Sequence, residues 1–167
     1  MDATELRALQ APHKQRYRED PESASTPLGA TAAWSEPGIT CTVDGFAGPV
    51  RAGLHPATGG DGSDACSAEM LLEAVLACVG VTMRSVATAM GVEMSDIRLT
   101  GRSTFDARGT LGVDREAPVG VGPIEVEIAA VTDASAETIE RLLTTTERYC
   151  VVGQSLAAPP HLSFQRV

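Results

Sequence analysis

Positive charge is scarce in this sequence: 13 lysine and arginine residues stand against 22 aspartate and glutamate residues, for a formal net charge of −9 at pH 7. Binding to nucleic-acid phosphates or to anionic lipid requires a basic surface. We therefore expect neither nucleic acid nor a membrane among the partners of this protein.

Cysteine and histidine are also scarce, with four and three residues in a chain of 167. Four cysteines are too few for a disulfide scaffold, and no two of them have the spacing of a zinc ribbon or a thioredoxin-like motif. The histidines, His13, His55 and His161, form no ligand pattern. We therefore expect no metal and no cofactor.

The sequence shows no secretory signal and no uninterrupted apolar run of membrane length. Asp2 and Glu5 occupy the N-terminus, where a signal peptide would carry basic residues ahead of an apolar segment. The longest apolar stretch, residues 70–90, contains Glu73 and Arg84, which fits a buried core helix better than a membrane span. These features predict a soluble, cytoplasmic protein whose cysteines are reduced.

Glycine and proline are plentiful instead, with 16 and 10 residues, and they exclude a simple helical bundle. Residues 1–27 are predicted to form a charged helix and a linker, and residues 28–167 a single domain. The predicted order within that domain has no regular β-α-β repeat, so we predict an α+β architecture. The predicted elements are helices at 4–18, 67–90 and 135–148, a short helical turn within 151–158, and strands at 30–34, 39–43, 49–54, 96–108, 123–131 and 161–167.

The four cysteines fall in different settings. Cys78 lies in the middle of the long helix, where a small apolar side chain packs well, so inert packing and reactivity both stay open. Cys150 follows the second long helix close to Arg148, and a helix that restarts there would favour a thiolate. Cys41 falls in a strand pattern typical of the core, and Cys66 precedes the long helix without an evident role.

Two segments carry a resemblance to a known family. Residues 67–78, SAEMLLEAVLAC, resemble the helix of the OsmC/Ohr family (osmotically inducible and organic hydroperoxide resistance proteins), in which a Glu-Leu-Leu-like start leads to a helical cysteine. Residues 150–156, CVVGQSL, are similar to the family's Cys-Pro-Val-x-x-x-Leu segment, with Val151 in place of the proline. The N-terminal arm and the loop over residues 53–62 resemble a longer OsmC-like subgroup. The resemblance implies an intertwined homodimer, with antiparallel sheets around two long helices and active sites at the subunit interface.

The resemblance also implies a chemistry, that of a thiol peroxidase that reduces organic hydroperoxides. Cys78 would attack the peroxide and become a sulfenic acid, and Cys150 would form a Cys78–Cys150 disulfide that an external dithiol then reduces. The family places an Arg from an early strand beside the thiolate and orients it with a Glu near the helix start. Arg51 and Glu69 are the nearest matches, although the Glu of the best-studied branch falls where this chain has Ala68.

Two alternatives stay open beside this interpretation. The protein could be a non-catalytic member that binds a small apolar ligand or senses redox state at the dimer interface. Cys66 could also replace Cys150 as the resolving thiol.

Overall fold

The computed structural model describes all 167 residues, which form two compact units. The first unit comprises Met1–Pro27, Val75–Gly101 and Glu125–Val167, and the second comprises Leu28–Ala74 and Arg102–Ile124. Helices and strands follow one another without a regular β-α-β repeat, which confirms the α+β prediction. The helices are α1 (Ala3–Glu19), α2 (Ser67–Met90), α3 (Ala107–Thr110), α4 (Ala136–Tyr149) and α5 (Val151–Gln154), and the strands are β1 (Thr31–Ser35), β2 (Thr40–Gly45), β3 (Gly48–Gly53), β4 (Ala65–Cys66), β5 (Ser95–Arg102), β6 (Glu125–Val131) and β7 (His161–Arg166).

The second unit contains a four-stranded sheet in the order β1-β2-β3-β4. The first three strands form the antiparallel meander that the sequence predicts, with Trp34 opposite Cys41 and Thr42 opposite Arg51. The short β4 is parallel to β3 and leads directly into α2. Trp34 is 95% exposed, so this sheet presents apolar surface outward.

Helix α2 has the bounds that the sequence predicts, and it ends where Gly91 adopts a left-handed conformation with φ of +68°. Within one chain it buries a single stripe with a four-residue spacing: Val75, Val79, Met83 and Ala87. Another face of α2 is open within one chain, because Val81 is 74% exposed. The length of α2 and its mean hydropathy of 1.7 would also suit a membrane span, but core helices of soluble proteins reach the same length and hydropathy.

The first unit contains a three-stranded sheet in the order β5-β6-β7. Its central strand buries Val126, Ile128 and Ala130, and α4 buries Leu142. Strands β6 and β7 are parallel, which differs from the expectation of antiparallel sheets. The reason is the connection, because α4 and α5 cross over between the two strands and return the chain to the same end of the sheet.

The largest difference in extent from the predicted elements is in strand β5. Strand β5 ends at Arg102, although the alternating pattern continues to residue 108. Beyond β5, the Asp106 side chain accepts a hydrogen bond from the N–H of Arg108 and caps the short helix α3. This helix interrupts the extended chain. Helix α1 begins at a capping box between Asp2 and Glu5 and continues through Pro12.

Candidate active site

The first unit brings Cys78 and Cys150 together. Cys78 lies half-buried in the middle of α2, and Cys150 is only 1% exposed between α4 and α5. Cys150 is extended, with φ of −74° and ψ of 101°, so it ends α4 and at the same time caps α5. The chain therefore turns at this cysteine and carries the following backbone to the sulfur of Cys78.

Helix α5 supplies one N–H group to each sulfur. The N–H of Gly153 donates to Cys150 Sγ at 3.4 Å, and the N–H of Val152 donates to Cys78 Sγ at 3.5 Å. The first N–H groups of a helix have no partner within the helix, so they are available for such bonds. A single helical turn thus holds both thiols.

Glycine at position 153 allows the close packing around Cys150. A Cβ atom at this position would lie 3.1 Å from Cδ of Pro160 and 3.3 Å from Cys150 Sγ. Both distances are shorter than ordinary van der Waals contact. A side chain here would therefore displace either the proline or the sulfur.

The hydrogen bonds around Cys78 favour its thiolate. Burial acts to raise the pKa of the Cys78 thiol, but hydrogen bonds from the Val152 N–H, the Cys150 thiol, the Thr82 hydroxyl and the Val151 N–H outweigh it. The pKa of Cys78 is therefore lower than that of an ordinary thiol. Since the thiolate is the nucleophilic form, Cys78 is the more reactive of the two cysteines.

Cys150 has the opposite tendency. Burial is the largest influence and raises the pKa of Cys150; the Gly153 N–H opposes it, and the hydrogen bond to Cys78 together with its negative charge raises the pKa further. The thiolate is therefore favoured on Cys78 and the thiol on Cys150. A nucleophilic thiol must readily become a thiolate, whereas a second thiol that reacts only later can stay protonated.

Arg51 has two partners within the second unit. Its Nη1 forms a salt bridge with Oδ1 of Asp64 at 2.9 Å, and its Nη2 donates to the carbonyl oxygen of Pro37 at 2.6 Å. The Asp64 carboxylate lies against Gly53, where a Cβ atom would be only 2.7 Å from Asp64 Oδ2. Glycine at position 53 thus leaves room for the counter-ion of Arg51.

Glu69 lies on the wall of a cavity of about 270 Å³ in the second unit. Cys66 lines the same cavity, together with the edge-to-face pair of His55 and Phe105. Glu69 is exposed, and it is not the residue that holds Arg51. The cavity gathers a thiol, an imidazole and a carboxylate around apolar walls.

All four cysteines are free thiols. Cys41 pairs with Ala52 of β3, whereas Cys66 pairs with the next residue, Gly53. Neighbouring residues of a strand point to opposite faces of the sheet. Cys41 and Cys66 therefore lie on opposite faces and do not form a second disulfide pair.

The family model described as OsmC-like protein matches residues 60–165, which is more than half of the chain. The chain belongs to the OsmC-like family. Both Cys78 and Cys150 fall within the matched range, so the family assignment includes the whole candidate site of the first unit. Comparison with curated proteins finds none that matches this OsmC-like chain.

Solved structures support the OsmC-like fold. An OsmC-like protein from Mycoplasma pneumoniae has a TM-score of 0.69 at 14% identity, with 86% of this chain and 99% of that chain covered. An organic hydroperoxide resistance protein OsmC from Legionella pneumophila has a TM-score of 0.60 at 14% identity, covering 85% and 98%. An organic hydroperoxide resistance protein from Elizabethkingia anophelis has a TM-score of 0.65 at 11% identity, covering 85% and 97%. At these identities the likeness shows the shared fold.

Two of the four predicted site residues lie in each unit. Cys78 and Cys150 lie together, whereas Arg51 and Glu69 each have their own surroundings in the second unit. Sequence reasoning missed Asp64, which lies in a turn-rich segment and looked like an ordinary loop residue. It also missed Thr82, one turn after Cys78 on α2, for which the four-residue spacing on a helix was an available signal.

Proposed function

We propose that this protein is a cysteine-based thiol peroxidase that reduces organic hydroperoxides. The observation that carries the proposal is the opposite tendency of the two neighbouring thiols, with the pKa of Cys78 lowered and that of Cys150 raised. Two equivalent thiols packed together for structural reasons would not need this difference. The names of the relatives from Legionella pneumophila and Elizabethkingia anophelis support the choice of an organic hydroperoxide.

The proposed reaction has two steps on the protein. The Cys78 thiolate attacks one oxygen of the O–O bond, which breaks; the alkoxide leaves, takes up a proton as an alcohol, and Cys78 becomes a sulfenic acid. Cys150 then loses its proton and attacks the Cys78 sulfur, the S–O bond breaks, and water leaves as the disulfide forms. An external dithiol reduces the disulfide by thiol–disulfide exchange.

Arg51 and Glu69 stay in the proposal as candidates for stabilising the thiolate. In this chain Asp64 rather than Glu69 is the partner that orients the Arg51 guanidinium. If Arg51 stabilises the Cys78 thiolate, Arg51→Ala slows the first step, and Asp64→Asn slows it by a smaller factor. Glu69→Gln separates the contribution of the family-like carboxylate from that of Asp64.

Stopped-flow oxidation of the reduced protein by cumene hydroperoxide tests the proposal. Cys78→Ser is expected to abolish peroxide consumption, and Cys150→Ser is expected to permit one turnover that stops at the sulfenic acid. Cys41→Ser and Cys66→Ser are the matched controls and should behave as the wild type. Consumption that persists unchanged in Cys78→Ser refutes the assignment, and a disulfide that includes Cys66 in mass spectra would assign the second step to that thiol instead.

We also propose that two copies of the chain form the working unit, in the cytoplasm. The exposed apolar side chains of α2 and of the β1–β3 meander support this, since Val81, Trp34 and Ile39 are 74%, 95% and 76% exposed. Apolar surface of this extent usually lies at an interface. Val81→Glu is expected to shift the mass measured by light scattering from two chains to one, and a monomeric wild type would contradict the proposal.

A second candidate function rests on a larger cavity in the first unit. This cavity of about 990 Å³ has Met83, Met90 and Met94 among its lining residues, with Ile97 and Leu99 beside them. Methionine side chains adapt to ligands of varied shape, and the same lining includes Arg84 and Arg141, so the cavity suits an apolar molecule with an acidic group, bound without turnover. A fluorescent fatty acid that binds equally well to wild type and Cys78→Ser, in a protein inert to peroxide, would support this alternative.

A further inference from the structure

A buried hydroxyl lies one helical turn before Cys150 and has no partner. The Thr146 side chain has 0% exposure, and its Oγ1 makes no hydrogen bond. Two other helical threonines differ: Thr88 donates to the carbonyl oxygen four residues earlier at 2.8 Å, and Thr145 does the same at 2.6 Å. Thr146 does not use this common backbone bond. A buried hydroxyl without any partner is rare and calls for an explanation.

Packing alone does not explain a hydroxyl at this position. Residues four apart lie on one face of a helix, so Leu142 and Thr146 share a face of α4, and Cys150, the residue that ends α4, follows one turn after Thr146. All three are buried, and Leu142 is apolar. Valine has nearly the shape of threonine and would fill the same space without leaving a polar group unsatisfied. The hydroxyl therefore disfavours the reduced state, in which it has no partner.

The negative charge of the site moves during the proposed reaction. In the reduced protein the thiolate is favoured on Cys78 rather than on Cys150. Once Cys78 is a sulfenic acid, its charge is gone, and Cys150 must become the thiolate. Cys78 of α2 is the titratable group that acts on the Cys150 sulfur, and the Gly153 and Val152 N–H groups are the backbone donors that lower its pKa. A side-chain donor close to this sulfur would further assist the ionisation of Cys150.

We propose that Thr146 is this side-chain donor: in the resolving step its hydroxyl turns and donates a hydrogen bond to the Cys150 thiolate. The inference rests on the proposed peroxidase function and adds a role for α4 in its second step. The sulfur of Cys150 forms the S–S bond with Cys78, the S–O bond of the sulfenic acid breaks, and the departing hydroxide takes up the proton from Cys150 as water. The Thr146 hydroxyl thus gains a hydrogen-bond partner, the Cys150 thiolate, in the state in which that thiolate needs a donor.

Rapid mixing with cumene hydroperoxide tests the proposal by separating sulfenic acid formation from disulfide formation. Thr146→Val is expected to leave the first rate unchanged and to slow disulfide formation about tenfold at pH 7, with its pH midpoint moved upward. Thr146→Ser keeps the hydroxyl and is expected to retain most of the rate. Thr145→Val is the matched control, because its hydroxyl already bonds to a backbone carbonyl. Equal disulfide rates and pH midpoints in Thr146→Val and the wild type overturn the proposal, and so does equal slowing in Thr145→Val.

A second arm works without peroxide. In a background of Cys41→Ser and Cys66→Ser, dithiobis(nitrobenzoate) forms a mixed disulfide at Cys78 and releases one thionitrobenzoate ion. Attack by Cys150 on the Cys78 sulfur then releases a second ion and closes the disulfide. Thr146→Val should slow the second release about tenfold, and an unchanged second release refutes the role of Thr146. If Cys78 of the wild type does not react with peroxide, the proposed function fails, while this arm still decides the role of Thr146.

Thermal unfolding of the reduced proteins controls for folding. Thr146→Val removes an unsatisfied hydroxyl and keeps the volume, so it is expected to unfold at the wild-type temperature or above it. Slow disulfide formation in a protein of undiminished stability supports a chemical role. A large loss of stability in Thr146→Val would show that the hydroxyl is structural and would overturn the proposal.

Discussion

The hydrogen bond from the Val152 N–H to Cys78 Sγ allows a direct test of what sets the reactivity of this site. Val152→Pro removes this donor; its ring carbon takes the place of the N–H beside the sulfur, and it disfavours the helical conformation of Val151, so any damage to the site must be separated from the loss of the hydrogen bond. The N–H of Val152 lies in the first turn of α5 and takes no part in hydrogen bonding within the helix, so a proline there removes no helical bond. Val152→Ala is the matched control, because it shortens the side chain and keeps the N–H.

The size of the effect follows from the geometry. A hydrogen bond to a charged group contributes about 1.5–3 kcal/mol, and the N···S distance of 3.5 Å places this bond toward the weaker end. A loss of about 1.4 kcal/mol from the thiolate corresponds to a tenfold lower thiolate fraction at a pH below its midpoint. We therefore expect Val152→Pro to react with cumene hydroperoxide about tenfold more slowly at low pH, with an upward shift of the pH midpoint.

The pH profile separates this electrostatic effect from damage to the site. At a pH where Cys78 is fully ionised in both proteins, the rates of the wild type and of Val152→Pro should converge. Val152→Ala should follow the wild-type profile throughout. A Val152→Pro protein with an unchanged midpoint, or with the same slowing at every pH, would refute the reasoning.

Three further perturbations test other parts of the site. Gly153→Ala brings a Cβ atom to 3.3 Å from Cys150 Sγ, so it should lower the unfolding free energy by about 1–3 kcal/mol and slow disulfide formation; a protein unchanged in both measurements would contradict the packing argument. A double-mutant cycle over Arg51→Ala and Asp64→Ala should give a coupling of about 0.5–1 kcal/mol in urea unfolding, because the pair is partly exposed; additive effects would show that the salt bridge contributes nothing. Iodoacetamide should alkylate Cys78 at a lower pH than an unperturbed peptide thiol and Cys150 at a higher pH, since the pKa of the first is lowered and that of the second raised; the reverse order by peptide mapping would contradict both assignments.

The elements with strong local signals were predictable from the sequence. Helix α2 has the predicted bounds because an apolar run between Ser67 and Gly91 leaves few other possibilities. Strand β5 was predicted six residues too long, since alternation continues beyond Arg102 and concealed the local Asp106 cap that starts α3. The parallel pairing of β6 and β7 depends on the path of the crossover, which strand patterns do not record.

The two cysteines of the candidate site in the first unit were predictable. The approach of Cys78 and Cys150 followed from the family resemblance, because a separation of 72 residues carries no local signal. Arg51 and Asp64 meet through the fold of the β3–β4 region, and nothing in the composition of the loop marks Asp64 as the counter-ion. The hydrogen bond from the Val152 N–H could not be predicted from residue type, since every residue except proline carries a backbone N–H.

The departure from the family pattern at position 151 has a physical consequence of its own. The family segment has a proline where this chain has Val151, and the Val151 N–H is one of the groups that lower the pKa of Cys78. Cys150 is already extended, as the residue before a proline must be, so Val151→Pro fits the first position of α5 and removes only the N–H. Because Val151 acts less strongly than Val152, Val151→Pro should raise the pH midpoint of the peroxide reaction less than Val152→Pro does. Stopped-flow rates across pH decide this, and a midpoint that does not move, or that moves downward, would mean that valine at this position gives the Cys78 thiolate no support that proline lacks.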